Sequence, residues 1–271
     1  MNPDTPPPST EEEAYRGFWA DVGENFPDLR GARSTIQYQE DEQRLLRDFL
    51  APLDGLRIFK TDLWDESRNT RILRWAAGHG ARAFGVDIST AIVSSARRQF
   101  AELGLRLHGA QSDVRALPFR DGSFDAVYSM GTVEHFDETQ QALEEIFRVM
   151  RPGGRAVIGV PNRCDPFLRP LMVAVMYRLG LYGYGFEKSY TRRRFRRMLE
   201  QAGFEVTAET GILFIPGWLR IVDLAANAWA PRFVPRLTGL ACAPFDHLSR
   251  RFGFLRRHGY LLATVVVKPE R

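Results

Sequence analysis

The sequence predicts a doubly wound α/β fold, and three observations carry that expectation. Between residues 56 and 161, short apolar runs of strand character alternate with segments of helical spacing. The breaks between them hold Gly, Pro or Asp, as at Pro152, Gly153 and Gly154. Polar, turn-prone segments recur just beyond the strands, at 87–89, 112–118 and 131–136. That is where an open parallel sheet presents its ligand site.

Taken in order, residues 10–50 read as helical. Glu11, Glu12 and Glu13 follow a Ser-Thr pair, and acids are favoured in a first helical turn. A second helix over 40–50 stops at Pro52 and Gly55. Residues 56–61 form a strand, 68–78 a helix through Ile72, Leu73 and Ala76, 81–87 a strand and 90–103 a helix. Strands follow at 105–110 and 124–129, then a helix over 139–150 and a strand over 155–161. Alternation at this spacing implies βαβ units and a parallel sheet. Beyond Pro161 the chain turns less regular. Residues 167–184 are apolar and aromatic, 191–202 form a strongly basic helix, and 203–214 and 259–267 read as strands.

Composition narrows the functional classes. At roughly 150 residues per domain, a chain of 271 suits one large domain. Residues 1–9, Pro-rich and polar, are expected to be a disordered tail. A hydrophobic share of 44% is enough for a sizeable core. No uncharged apolar stretch reaches the length of a spanning helix, and residues 1–9 lack the pattern of a secretory signal, so a cytoplasmic protein is expected. Two cysteines, Cys164 and Cys242, are too few for a cysteine metal site. They read as isolated thiols, with a single disulfide as the alternative, and no metal is expected. The net charge of +4 is concentrated in Arg192, Arg193, Arg194, Arg196 and Arg197, and in Arg250, Arg251, Arg256 and Arg257. Such clusters suit an anionic surface or a solvated helix face. No nucleic-acid-binding motif accompanies them, so nucleic acid is not an expected partner.

Four segments carry chemistry. In Gly85-Val86-Asp87-Ile88-Ser89, a carboxylate ends the second strand, where it can accept hydrogen bonds from both hydroxyls of a ribose. The plainer reading is a helix-capping Asp, although Ser89 is itself a suitable cap. In the segment SDVRALPF over 112–119, Asp113 can accept from an exocyclic amine, with Val114 framing a ring. The third segment runs FDAVYSM over 124–130 and then GTVEHF over 131–136. The fourth, VMRPGGR over 149–155, is a helix stop before a strand.

In this order and spacing, these segments resemble the class I S-adenosylmethionine-dependent methyltransferases, in particular their small-molecule branch. The resemblance covers about half the chain. It implies a Rossmann-like, doubly wound, seven-stranded sheet, mostly parallel, whose last strand is antiparallel. The long segment between the last two strands then becomes a helical insertion. Residues 10–271 would form a single domain, with 55–161 as the cofactor-binding half and 162–190 and 212–258 as substrate or cap insertions. The cofactor would be S-adenosyl-L-methionine, with Asp87 and Ile88 at the ribose, Asp113 and Val114 at the adenine, and Ser129 and Met130 near the reacting centre. Glu134 and His135 would lie on the substrate side, His135 as the candidate base and Glu134 as its alternative.

One departure stands out. The family's first strand ends in an acid followed by a Gly-x-Gly-x-Gly turn, whereas this chain reads Lys60-Thr61-Asp62-Leu63-Trp64-Asp65-Glu66. Two readings follow. Either Lys60 meets the carboxylate of the cofactor's amino-acid end and Asp62 or Asp65 its ammonium, or the pocket is closed and the protein is a noncatalytic interaction module. The acceptor is expected to be a small hydrophobic or amphipathic molecule. Aromatics and arginines in the last insertion, among them Trp218, Phe233, Phe245, Phe252, Phe254, Arg220 and Arg232, raise a membrane-surface lipid methyltransferase as an alternative.

Overall fold

The computed structural model describes residues 10–25, 27–229 and 234–270. The expected tail at 1–9, and Arg232 and Phe233, lie outside the described residues. Helices α1 (Glu11–Asn25) and α2 (Arg33–Leu45) precede strand β1 (Arg57–Lys60). The first half continues through α3 (Trp64–Arg68), α4 (Ile72–Gly78), β2 (Arg82–Asp87), α5 (Thr90–Ala101), β3 (Leu107–Gln111), β4 (Phe124–Met130), α6 (Thr139–Val149) and β5 (Met150–Pro161). The second half adds α7 (Arg169–Arg178), α8 (Arg192–Gln201), β6 (Glu205–Ile212), α9 (Gly217–Trp229), α10 (Val234–Arg251) and β7 (Leu261–Val267).

Among the described residues the strands form one seven-stranded sheet in the order β3-β2-β1-β4-β5-β7-β6. Strands β1 to β5 pair in parallel, and β7 runs antiparallel between β5 and β6. The expected antiparallel last strand and the helical insertion before it are both present. Chain direction across the sheet reverses between β1 and β4, so the loops leaving these two strands diverge and open a crevice.

Alternating burial accounts for the two helical layers. Ile58, Tyr128 and Val157 pack on one face with Leu45, Leu73, Phe100 and Leu219. Phe59, Val127 and Ile158 pack on the other with Leu143, Ile146, Phe195 and Leu199. Helix α6 buries Ala142, Leu143, Ile146 and Val149, the spacing of one helical face. The Ser89 and Thr191 hydroxyls cap α5 and α8 by accepting the N–H of Ile92 and Arg194. The arginines of α8 project outward while Phe195 and Leu199 are buried, which matches the solvated-face reading of that cluster.

The structure starts the second helix at Arg33 rather than 40 and revises two further boundaries. The predicted helix over 68–78 is split into α3 and α4 by Arg71, which adopts a left-handed conformation at φ 59°. Glu66 makes the split stable: its carboxylate accepts the N–H of Leu73 at 2.7 Å and of Arg74 at 3.0 Å, capping α4. Strand β5 starts at Met150 rather than 155, because Met150 already pairs with Phe124 ahead of a register shift. Cys164 and Cys242 are both free thiols.

Candidate active site at the divergence of β1 and β4

The segment leaving β1 is organised by a buried cation. The Lys60 ammonium, fully buried, donates to Asp62 Oδ2 at 2.9 Å, Asp65 Oδ2 at 3.0 Å and the Asp62 carbonyl at 3.2 Å. An ammonium has three protons, so its donors are used. Burial opposes the charge, but the two carboxylates outweigh it and hold the ammonium well above the ordinary lysine range. Lys60 therefore does not reach a cavity, contrary to its expected contact with the cofactor's carboxylate. Asp65 is drawn into the same network and also accepts from Asn69 at 2.7 Å.

Hydroxyls extend the network to β4. Thr61 Oγ1 donates to Ser129 Oγ at 2.8 Å and lies 3.0 Å from Thr132 Oγ1, which donates to Asp62 Oδ2 at 2.9 Å. Ser129 is fully buried behind Thr61 and lines neither cavity, which corrects its expected place against the cofactor.

The absent loop glycines have counterparts elsewhere. Leu63 is fully buried, and its side chain occupies the space where a Cβ on Gly85 of β2 would stand, 2.5 Å from Leu63 Cδ2. A Cβ on Gly109 of β3 would stand 3.4 Å from the same side chain, an ordinary contact. Glycine in β2 makes room for a loop that carries side chains. At the end of β4, Gly131 takes φ +75°, a turn that favours glycine, and its N–H meets the Gly159 carbonyl at 3.1 Å.

Two adjoining cavities open over this floor. The first is lined by Thr61, Asp87, Ile88, Asp113, Val114 and residues of α1. Asp87 Oδ2 accepts the Leu63 N–H at 3.0 Å and Oδ1 the Ser89 N–H at 2.8 Å. Burial pushes its carboxyl up to about 7 despite these donors. Asp113 forms a forked pair with Arg115, with Nη2 to Oδ2 at 2.6 Å. Burial would raise the Asp113 carboxyl, but the Arg115 donors prevail and hold it below the ordinary range.

The second cavity is lined by Asp65, Met130, Glu134, Arg169, Tyr182 and Arg220, among others. Asp62, Trp64, Gly131 and His135 line both cavities. The Trp64 ring packs edge-on against Tyr184 at 5.7 Å. His135 Nδ1 lies 2.8 Å from the Phe186 carbonyl, which can only accept, so Nδ1 carries the proton and Nε2 presents a lone pair. Burial depresses the imidazolium, favouring this neutral form. Glu134 Oε1 is 4.0 Å from Nε2, burial raises its carboxyl well above the usual range, and its Oε2 has no hydrogen-bond partner. Arg169 is neutralised by Glu187 at 2.6 and 2.8 Å.

A methyltransferase-domain family profile matches residues 67–158, starting immediately beyond the glycine-free segment. Over that span the chain is similar to methyltransferase domains. Its first cavity sits at the ends of β2 and β3, inside or beside the matched span. A demethylmenaquinone methyltransferase from Thermus thermophilus is 39% identical over 79 residues, 29% of this chain and 36% of that relative. One from Chlorobaculum parvum is 26% identical over 229 residues, 68% of this chain and 92% of that relative. The chain spans less than half the length of the first curated relatives it matches, 36%, 38% and 46% of three of them. A solved Thermotoga maritima structure, described as a possible histamine N-methyltransferase, superposes with a TM-score of 0.58 at 14% identity, covering 87% of this chain and 91% of that one. At that identity the likeness shows the fold.

Sequence reasoning missed several wall residues of the two cavities. Tyr15 and Trp19 of α1 cover the first cavity, with Trp19 edge-on to His135 at 4.9 Å. Their aromatic spacing in an acidic helix was the available signal. Tyr38, Arg169, Tyr260 and Arg220 reach the second cavity from distant segments, and no local pattern announces that. Among the described residues no His, Cys, Asp and Glu cluster could hold a metal ion.

Two measurements check the electrostatics. The folded Asp87 pKa lies above its value of about 4 in the unfolded chain, so the folded state holds an extra proton between about pH 4 and about 7. Asp87 thus contributes less to stability as pH rises through that window. The stability difference between wild type and Asp87→Asn, from urea midpoints, should fall over this range and level off above it; a pH-independent difference contradicts the assignment. For His135, nitrogen chemical shifts near neutral pH should show a protonated Nδ1 and a bare Nε2, and a doubly protonated ring would exclude this tautomer.

Proposed function

We propose that this chain transfers a methyl group from S-adenosyl-L-methionine to a small hydrophobic or amphipathic acceptor. The observation that carries the reading is the junction of the two cavities at His135, Asp62, Trp64 and Gly131. The residues fit the cofactor: Asp87 has acceptor capacity left for a ribose diol, Ile88 and Val114 offer apolar contact to a base, and Asp113 offers a carboxylate held in place by Arg115. Asp62 and Asp65, anchored by Lys60, carry negative charge toward the amino-acid end. When bound, the cofactor supplies a sulfonium methyl group that a nucleophile displaces in line.

The chain's own part is alignment, exclusion of water and proton handling. Helix α1 covers the first cavity with Tyr15 and Trp19. Insertions carrying α7 and α9 enclose the second with Arg169, Tyr182, Arg220 and Leu224. His135 Nε2, bare and neutral, can accept a proton from an oxygen or nitrogen acceptor. Glu134, kept protonated by burial, can donate a hydrogen bond to that acceptor. The aromatic walls formed by Tyr38, Tyr182, Tyr184 and Tyr260 favour an acceptor with apolar surface.

A second reading, a methyltransferase working at a membrane surface, is favoured by α7 and its flanks. Leu168, Leu171, Leu179 and Leu181 are each more than 60% exposed. A surface groove of about 760 Å³ beside them is lined by Tyr177, Phe186, Arg163, Arg178, Lys188 and Arg194. Apolar side chains ringed by cations match an anionic lipid surface. No helix among the described residues is long and apolar enough to cross a membrane.

Calorimetry tests the leading reading. S-adenosylmethionine should bind, and Asp87→Ala should weaken it by at least about tenfold; absence of wild-type binding at high micromolar ligand would sink the proposal. For the second, the protein should cosediment with anionic vesicles, and Leu171→Glu with Leu181→Glu should abolish this. Equal partition of wild type and variant, or none with either, removes the membrane reading.

A further inference from the structure

We propose that Arg220 is a carboxylate receptor in the second cavity. The residue is only 7% exposed and lines that cavity. Its hydrogen bond is a long one, from Nη1 to the Ser34 carbonyl at 3.4 Å. Tyr38 and Tyr260 hold it between their rings, with centroids 5.3 and 5.5 Å away. Among the described residues no carboxylate lies within ion-pair distance of it. A guanidinium has five donors, and one buried without a counter-charge is costly unless a ligand completes it.

The other charges around it are committed. Arg169 in the same cavity is neutralised by a forked pair with Glu187. Asp62 and Asp65 hold Lys60. Asp223, one turn along α9 from Arg220, spends its two oxygens on the Ser34 N–H at 2.7 Å and the Thr238 hydroxyl at 2.6 Å. Glu134 has an unpartnered oxygen but is kept neutral by burial. The cavity therefore presents one planar, cationic fork with donors to spare, a geometry that matches a carboxylate. The Tyr38 and Tyr260 rings lie within cation–π distance of the fork. The carboxylate is supplied by the amino-acid end of the cofactor or by the methyl acceptor, and this inference rests on the methyl-transfer reading above.

Calorimetry on the full chain distinguishes the sources. The probes are S-adenosylhomocysteine, which has the amino-acid end, 5′-methylthioadenosine, which lacks it, and benzoate, a plain aromatic carboxylate. If the cofactor supplies the carboxylate, Arg220→Gln weakens S-adenosylhomocysteine by at least about tenfold and leaves 5′-methylthioadenosine within about twofold. If the acceptor supplies it, both nucleosides bind the variant as they bind wild type, and benzoate binds wild type, free or saturated with S-adenosylhomocysteine, but not the variant. Arg220→Lys, which keeps the charge without the fork, should fall between. Retained affinity for 5′-methylthioadenosine certifies that the variant is folded. Unchanged binding of all three probes, or equal weakening of both nucleosides, overturns the receptor. If wild type binds neither nucleoside, the methyl-transfer reading fails, and benzoate alone then decides on Arg220: bound by wild type and lost in Arg220→Gln, the receptor stands; otherwise it falls.

Discussion

The burial of one ammonium shapes this molecule's ligand face. Lys60 ends β1 inside the protein, and nothing from solvent can satisfy it there. Two carboxylates from the segment that follows, Asp62 and Asp65, come within 3 Å of it. That pairing folds residues 62–66 into a tight turn and the short helix α3. It also places Leu63 where its N–H bonds Asp87 and its side chain needs Gly85 beneath it. The Thr61 and Thr132 hydroxyls carry the same constraint across to β4. A glycine-rich turn would reach this geometry through backbone freedom. This chain reaches it through charge pairing and side-chain packing.

The consequence for ligand binding is a division of labour. Lys60, Glu66 and Ser129 stabilise the loop from behind, whereas Asp62, Trp64, Asp65, Asp87 and His135 meet the cavities. Burial raises the Glu134 carboxyl and lowers the His135 imidazolium, so both are biased toward their uncharged forms in an already crowded site. Arg220 from the late insertion supplies the uncompensated positive charge on the far wall.

Much of this was legible along the chain. Period-two apolar runs, Ser89 as a cap, and the Pro152-Gly153-Gly154 break mark elements through local backbone and burial preferences, and the strands lie within a few residues of expectation. Asp87, Ile88, Asp113 and Val114 line one cavity because strand ends in such a sheet converge at its carboxyl edge, a property of the architecture. The helix over 68–78 was misread because Glu66 and Arg71 break it by capping and by a left-handed turn, neither of which alters hydrophobic spacing.

What the sequence determined by itself is the fold class, the ends of the strands and the departure from a glycine turn, since each follows from residues close together in the chain. What only the tertiary structure decided is the charge state and partnership of the site. Lys60 meets Asp65 through a loop, Arg169 meets Glu187 across an insertion, and Tyr38, Arg220 and Tyr260 converge from three separate elements. Whether a buried charge is satisfied or left open to a ligand depends on which distant groups come within hydrogen-bonding reach, and that is a property of three-dimensional packing.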